Sequence, residues 1–175
     1  MKASTRWGQA NSLQHVCRTT LSAVASLAVA SLLTMPEAYW AAITALIVTQ
    51  SDLKSTLSVS ARRLIGTALG ATLGAVILKL FGPTLPGFGL GVLLCGVACI
   101  AIGHASKKLS GYLDRTAYRY AGITLAVILL IPRSQNIWWV ALDRFIEVSV
   151  GIVLALAVTM MWPEEPWNEE TARNQ

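Results

Sequence analysis

Long apolar stretches almost free of charge decide what this chain can fold into. The first runs over residues 16–35, with Arg18 near its start, and ends at Pro36-Glu37. A second begins at Ala38 and fades at Gln50-Ser51-Asp52. The third opens with Arg62-Arg63 and reaches Phe81, interrupted only by Lys79. Gly82-Pro83 and Pro86-Gly87 mark a tight connection to the fourth, 88–104. After a polar stretch containing Lys107, Lys108, Asp114 and Arg115 come a fifth run, 120–131, closed by Pro132-Arg133, and a sixth, 137–162, stopped by Pro163. A helix that crosses a bilayer needs roughly 17–25 apolar residues, and in hydrocarbon every peptide group must bond within its own segment. The first, third, fourth and sixth runs meet that length. The second and fifth hold only about a dozen strongly apolar residues each, which suits half-helices or spans that borrow their flanks. The expectation is an all-α polytopic membrane protein with six transmembrane helices.

Composition supports this. Hydrophobic residues make up 54% of the chain and charged residues 13%, against about 25% charged in a soluble domain. The 175 residues suffice for one compact unit. A net charge of +5 would suit nucleic acid if it were gathered in one patch, but the basic residues lie in short clusters between apolar runs. No nucleic-acid partner is expected; the partner is the lipid bilayer. With the N-terminus inside, eleven of the 14 basic residues fall in inner segments, among them Arg18, Lys54, Arg62 and Arg63. Lys79, Arg133 and Arg144 fall outside. That asymmetry follows the positive-inside rule and places both termini in the cytoplasm. Trp40, Trp138, Trp139 and Trp162 stand at span ends, where amphipathic rings favour the headgroup zone. The expected organisation is an N-terminal tail (1–15), a six-helix module (16–162) and an acidic C-terminal tail (163–175) carrying Glu164, Glu165, Glu169 and Glu170. Ala28-Val29-Ala30 resembles a signal-peptidase site but lies in mid-run, so an uncleaved span is expected.

Nothing in the sequence suggests an enzyme. There is no phosphate-cradling glycine loop ending in Lys-Ser/Thr, no HExxH and no GxSxG. Cys95 and Cys99 share a helix face but lack histidine or carboxylate partners, so they read as packing residues rather than metal ligands. No cofactor and no disulfide framework are expected. His15 and His104 read as interfacial surface residues.

The third and sixth runs resemble each other. Arg63-Leu64-Ile65 with Gly70 and Arg144-Phe145-Ile146 with Gly151 lie 81 residues apart, and Tyr39 matches Tyr120 at the same offset. Two copies of three helices would enter the membrane from opposite sides. Such an inverted 3+3 repeat is common in transporters, where short spans at matching positions point to the substrate site. Gly66, Gly70 and Gly74, four residues apart and widened by Thr67, form a small-residue face that lets helix backbones approach. Gly151 belongs to the equivalent face. Glu147 lies roughly 12 Å inside Trp139 along a helix, within the hydrocarbon zone, and Arg144 is three residues before it. An ionisable residue at that depth is a functional candidate, although a purely structural ion pair also fits. Arg63 and Arg144, at opposite mouths, favour an anionic solute, because arginine can hold a carboxylate through two parallel hydrogen bonds. Tyr39, Trp40 and Tyr120 could supply aromatic surface.

The segment Ala38-Tyr39-Trp40-Ala41-Ala42-Ile43-Thr44-Ala45-Leu46-Ile47-Val48-Thr49-Gln50, then Arg62-Arg63-Leu64-Ile65-Gly66-Thr67-Ala68-Leu69-Gly70-Ala71, resembles the fusaric acid resistance and aromatic acid exporter family of bacterial inner-membrane proteins. Asp143-Arg144-Phe145-Ile146-Glu147 with Gly151 and Trp162-Pro163 is similar to that family's last helix. The module also distantly resembles plant aluminium-activated malate transporters. The resemblance implies a six-helix inner-membrane module, efflux of aromatic or other organic acid anions, and a homodimer, with Arg63, Gly66, Thr67, Gly70, Arg144 and Glu147 at motif positions. Larger members carry a cytoplasmic domain and often a second membrane module. A non-transporting scaffold or partner subunit, and a passive anion channel, are the alternative readings.

Overall fold

The computed structural model describes residues 3–105, 111–113, 115–131 and 136–162. For 3–12 and 115 it describes the backbone alone. The expected acidic tail, Lys107, Lys108, Asp114 and Pro132-Arg133 lie outside the described residues. Six helices account for nearly all of what is described: α1 (Ala3–Leu32), α2 (Tyr39–Val48), α3 (Leu53–Phe81), α4 (Leu85–Ala105), α5 (Arg115–Leu130) and α6 (Ile137–Met161).

Several boundaries differ from the apolar runs, for local reasons. Helix α3 starts at Leu53, nine residues ahead of Arg62, because Asp52 caps it by accepting the Ser55 N–H at 2.9 Å. Pro86 sits inside the first turn of α4 rather than in a connection; its missing N–H would have had no helical partner there. Helix α5 begins at Arg115, so residues 115–119 of the expected polar stretch are helical. Most of the expected N-terminal tail is also helix, since α1 begins at Ala3. Helix α1 stops where Thr34 takes a left-handed conformation (φ 53°) and the Met35 N–H reaches back to the Ala30 carbonyl at 3.1 Å. The turn that follows carries Glu37 to the start of α2.

The Asp52 cap yields a direct test. Hydrogen bonding to Ser55, through its side chain first and its backbone N–H second, holds the Asp52 carboxyl below its ordinary value. The cap therefore contributes fully above pH 4 and is lost as pH falls through the lowered value. Asp52→Ala is expected to cost about 1 kcal/mol at neutral pH, and thermal melts should show this cost vanish in strong acid.

The packing inverts that of a soluble protein. Arg18, Arg63 and Glu147 are among the largest fully buried side chains, while Leu13, Val24, Leu93, Val97 and Ile100 are exposed. Water would not sort residues this way; hydrocarbon does, because it solvates leucine and rejects guanidinium. Four helices, counted from Leu13 in the first, are long and apolar enough to cross a membrane: Leu13–Leu32, Leu53–Phe81, Leu85–Ala105 and Ile137–Met161. The other two are shorter. At 1.5 Å per residue α2 is about 15 Å long and α5 about 24 Å, against a hydrocarbon layer of about 30 Å.

Helices α3 and α6 form the centre and pack on each other; α3 also takes the short α5 as its main partner, and α6 the short α2 next after α3. Helix α5 runs alongside α3 in the same direction. Gly66 meets Ala117 and Tyr120, Gly70 meets Ala121, and Gly74 meets Leu125 and Ile128. Helix α2 runs alongside α6 in the same way. Trp40 meets Arg144, Gly151 meets Ala41 and Thr44, and Ala45 and Val48 cluster with Val148, Ile152 and Ala155. Helices α3 and α6 are antiparallel, with Ala71 and Ala75 beside Val140 and Ala141 at one end and Val59 and Leu64 beside Val148 and Ile152 at the other. Helix α1 packs on α2 and α6, and α4 on α5 and α3.

Candidate functional site

Two arginines inside the helix packing are held in the same way. On α3 the Arg63 guanidinium lies over the Tyr120 ring of α5, 4.9 Å from its centroid. On α6 the Arg144 guanidinium lies over the Trp40 ring of α2, at 4.6 Å. Seven residues beyond each arginine a glycine, Gly70 or Gly151, abuts a backbone carbonyl of the same short helix, that of Ala121 or Ala41. A Cβ at either glycine would collide with that carbonyl, so close backbone approach is what brings ring and guanidinium together. A cation over an aromatic face in a dry setting gains about 2 kcal/mol. Trp40, not Tyr39, thus occupies the place that Tyr120 has on α5, one residue away from the match drawn in sequence. Tyr39 is 49% exposed, with its ring tilted beside that of Trp40 at 5.9 Å.

The two arginines differ in their counter-charges. Arg144 Nη1 donates to Glu147 Oε2 at 3.0 Å, one helical turn away, and Nη2 is ion-paired with Glu37 Oε2. Glu37 in turn donates its backbone N–H to Glu147 Oε1 at 3.0 Å and accepts the Trp40 indole N–H on Oε2 at 3.1 Å. The Glu147 carboxylate therefore sits at the start of α2, where the helix dipole favours negative charge. Arg63 has no carboxylate partner among the described residues, and its Nε and Nη1 are buried without an acceptor. At the position equivalent to Glu147 stands Gly66, and its surroundings are filled by Ala117 and Tyr120. Thr67 is fully buried and spends its hydroxyl on the Arg63 carbonyl at 2.8 Å.

Glu37 was not picked out in the sequence. It is one acid in a Pro-Glu turn, and nothing local marks it as the partner of a residue more than a hundred positions away. Arg18 also has a role that the sequence did not reveal. It is fully buried, and it donates to the Gln50, Ser51 (3.5 Å) and Trp162 (3.3 Å) carbonyls. It thereby caps the C-terminal ends of α2 and α6, the two helices that hold Trp40 and Arg144, and favours the negative ends of both dipoles. Arg63 likewise lies within the packing, 1% exposed, on the buried face of α3 that carries Gly66 and Gly70.

Apolar helices that face outward around buried, ring-capped arginines define a helical membrane protein. The chain belongs to the Fusaric acid resistance protein-like family, whose model matches residues 24–158. It is 29% identical over 152 residues to Inner membrane protein YccS of Escherichia coli K12, covering 86% of this chain and 20% of that protein. It is 30% identical over 158 residues to a protein of the same organism described as Uncharacterized transporter YdhK, covering 86% of this chain and 22% of that protein. Identity to Inner membrane protein YeeA is 27% over 168 residues, covering 91% of this chain and 44% of that protein. The chain thus spans from about a fifth to under half the length of these relatives. No solved structure matches it.

Proposed function

We propose that this chain is an inner-membrane transport module that exports aromatic or other organic acid anions. The observation that carries this reading is Arg63: a buried guanidinium over an aromatic ring, with two N–H groups lacking acceptors. A cation at that depth with no carboxylate among the described residues is costly unless an anion visits it. The kinship with a protein described as a transporter points the same way. Six crossings are supported by helix direction: α5 parallels α3, α2 parallels α6, and α3 opposes α6. An inverted 3+3 repeat is supported by the matched pairs Arg63–Tyr120 and Arg144–Trp40, each with its glycine on the same short helix. In this reading the short helices end at the substrate path, both termini are cytoplasmic, and two copies form a homodimer. The pairing of Arg144 with two carboxylates favours a second reading, a membrane scaffold or partner subunit.

Flux of labelled benzoate in vesicles containing the purified protein, with and without a pH gradient, separates these. The exporter should show gradient-dependent flux that falls at least about ten-fold in Arg63→Ala, the loss that corresponds to roughly 1.4 kcal/mol of binding. Flux indifferent to the gradient would indicate a channel. Absence of flux for a panel of organic acids, with the protein folded, would leave the scaffold.

A further inference from the structure

Glu37 lies on Arg144 as a foreign carboxylate would. Its oxygen Oε2 takes an ion pair from Arg144 Nη2 and a hydrogen bond from the Trp40 indole N–H at 3.1 Å, beside the Trp40 ring on which the guanidinium rests. The two acids that hold Arg144 are not alike. Glu147 is fixed on a helix with its side chain 2% exposed; Glu37 is 19% exposed and sits in the turn between α1 and α2. That turn follows Thr34, which a β-branched side chain makes unfavourable at φ 53°. The similarly built Arg63–Tyr120 pair has no carboxylate among the described residues.

From this contrast we infer that Arg144 and Trp40 form a carboxylate-binding site, that Glu37 is its resident occupant, and that a planar aromatic monocarboxylate binds there by displacing Glu37. The inference rests on the organic-anion reading above and assigns a new role to Glu37. A visiting acid exchanges one counter-ion of Arg144 for another, so the guanidinium is never left bare, while Glu147 keeps it in place. The aromatic body of the ligand lies along Trp40.

The test is equilibrium binding of labelled benzoate to the purified protein in detergent, for wild type, Glu37→Gln and Glu37→Gln/Trp40→Leu. Removal of the internal competitor should tighten binding at least about ten-fold in Glu37→Gln, and loss of the ring and its N–H should reverse most of that gain. Benzoate should also raise the melting midpoint of Glu37→Gln more than that of wild type. If Glu37→Gln does not fold, Glu37→Asp, with a shorter reach to Arg144, should show a smaller gain of the same sign. Equal or weaker binding in the folded variant, or no binding in either protein, overturns the inference. Tighter binding without flux would remove the transport reading and leave the site; flux with no gain in binding would do the reverse.

Discussion

Arg144→Ala is expected to deplete folded protein from the membrane, not merely to slow transport. The substitution leaves the carboxylates of Glu37 and Glu147 side by side, with the guanidinium between them gone. Removing one partner of a buried ion pair costs about 3–5 kcal/mol, because the charge left behind keeps its desolvation penalty. Arg63→Ala should cost far less, since it orphans no acid among the described residues. The effects should be strongly non-additive. The triple variant Arg144→Met/Glu37→Gln/Glu147→Gln, which retains volume and removes all three charges, should regain most of the stability lost in Arg144→Ala. Thermal unfolding midpoints in detergent, with the monodisperse fraction on size exclusion, read out all three proteins. If Arg144→Ala were as stable as wild type, the ion pairs would not hold α2 to α6.

The other large effect is steric. Gly151→Leu drives a side chain into the Ala41 carbonyl and the Thr44 side chain, where even a Cβ has no room. Neither neighbour can yield, one being backbone and the other a fully buried side chain on the same helix. Helix α2 must then separate from α6, at a cost above the usual 1–3 kcal/mol of an overpacked core. Trp40 would leave Arg144 in the same movement. Gly122 is the control: nothing lies within 4 Å of a Cβ added there. Gly122→Ala should stabilise the protein by about 0.5–1 kcal/mol through helix propensity alone. Comparable losses in both variants would mean that glycine matters here for flexibility rather than for close approach.

The sequence by itself determined the class of the protein. Runs of leucine, valine and alanine as long as those of α1, α3, α4 and α6 have no stable place but a bilayer, and that depends only on length and composition. The spacing of Gly66, Gly70 and Gly74 and the i, i+3 relation of Arg144 to Glu147 were legible for the same reason: they follow from the 3.6-residue period of one helix. What the arginines bind was not legible. Arg18 and Arg63 are buried because neighbouring segments offer carbonyls to the first and a ring to the second.

The tertiary structure alone decided which distant residues meet. Glu37 and Arg144 become partners because α2 lies parallel to α6, and that alignment is set by Gly151 against Ala41 and by Arg18 across the ends of both helices. It also decided between Tyr39 and Trp40. In an apolar segment adjacent aromatics look equivalent, yet a helix turns 100° per residue, so only one of the two can face the arginine. Periodicity records the face that a helix buries. The residue that it is buried against is fixed by backbone approach between segments, which no single stretch of sequence contains.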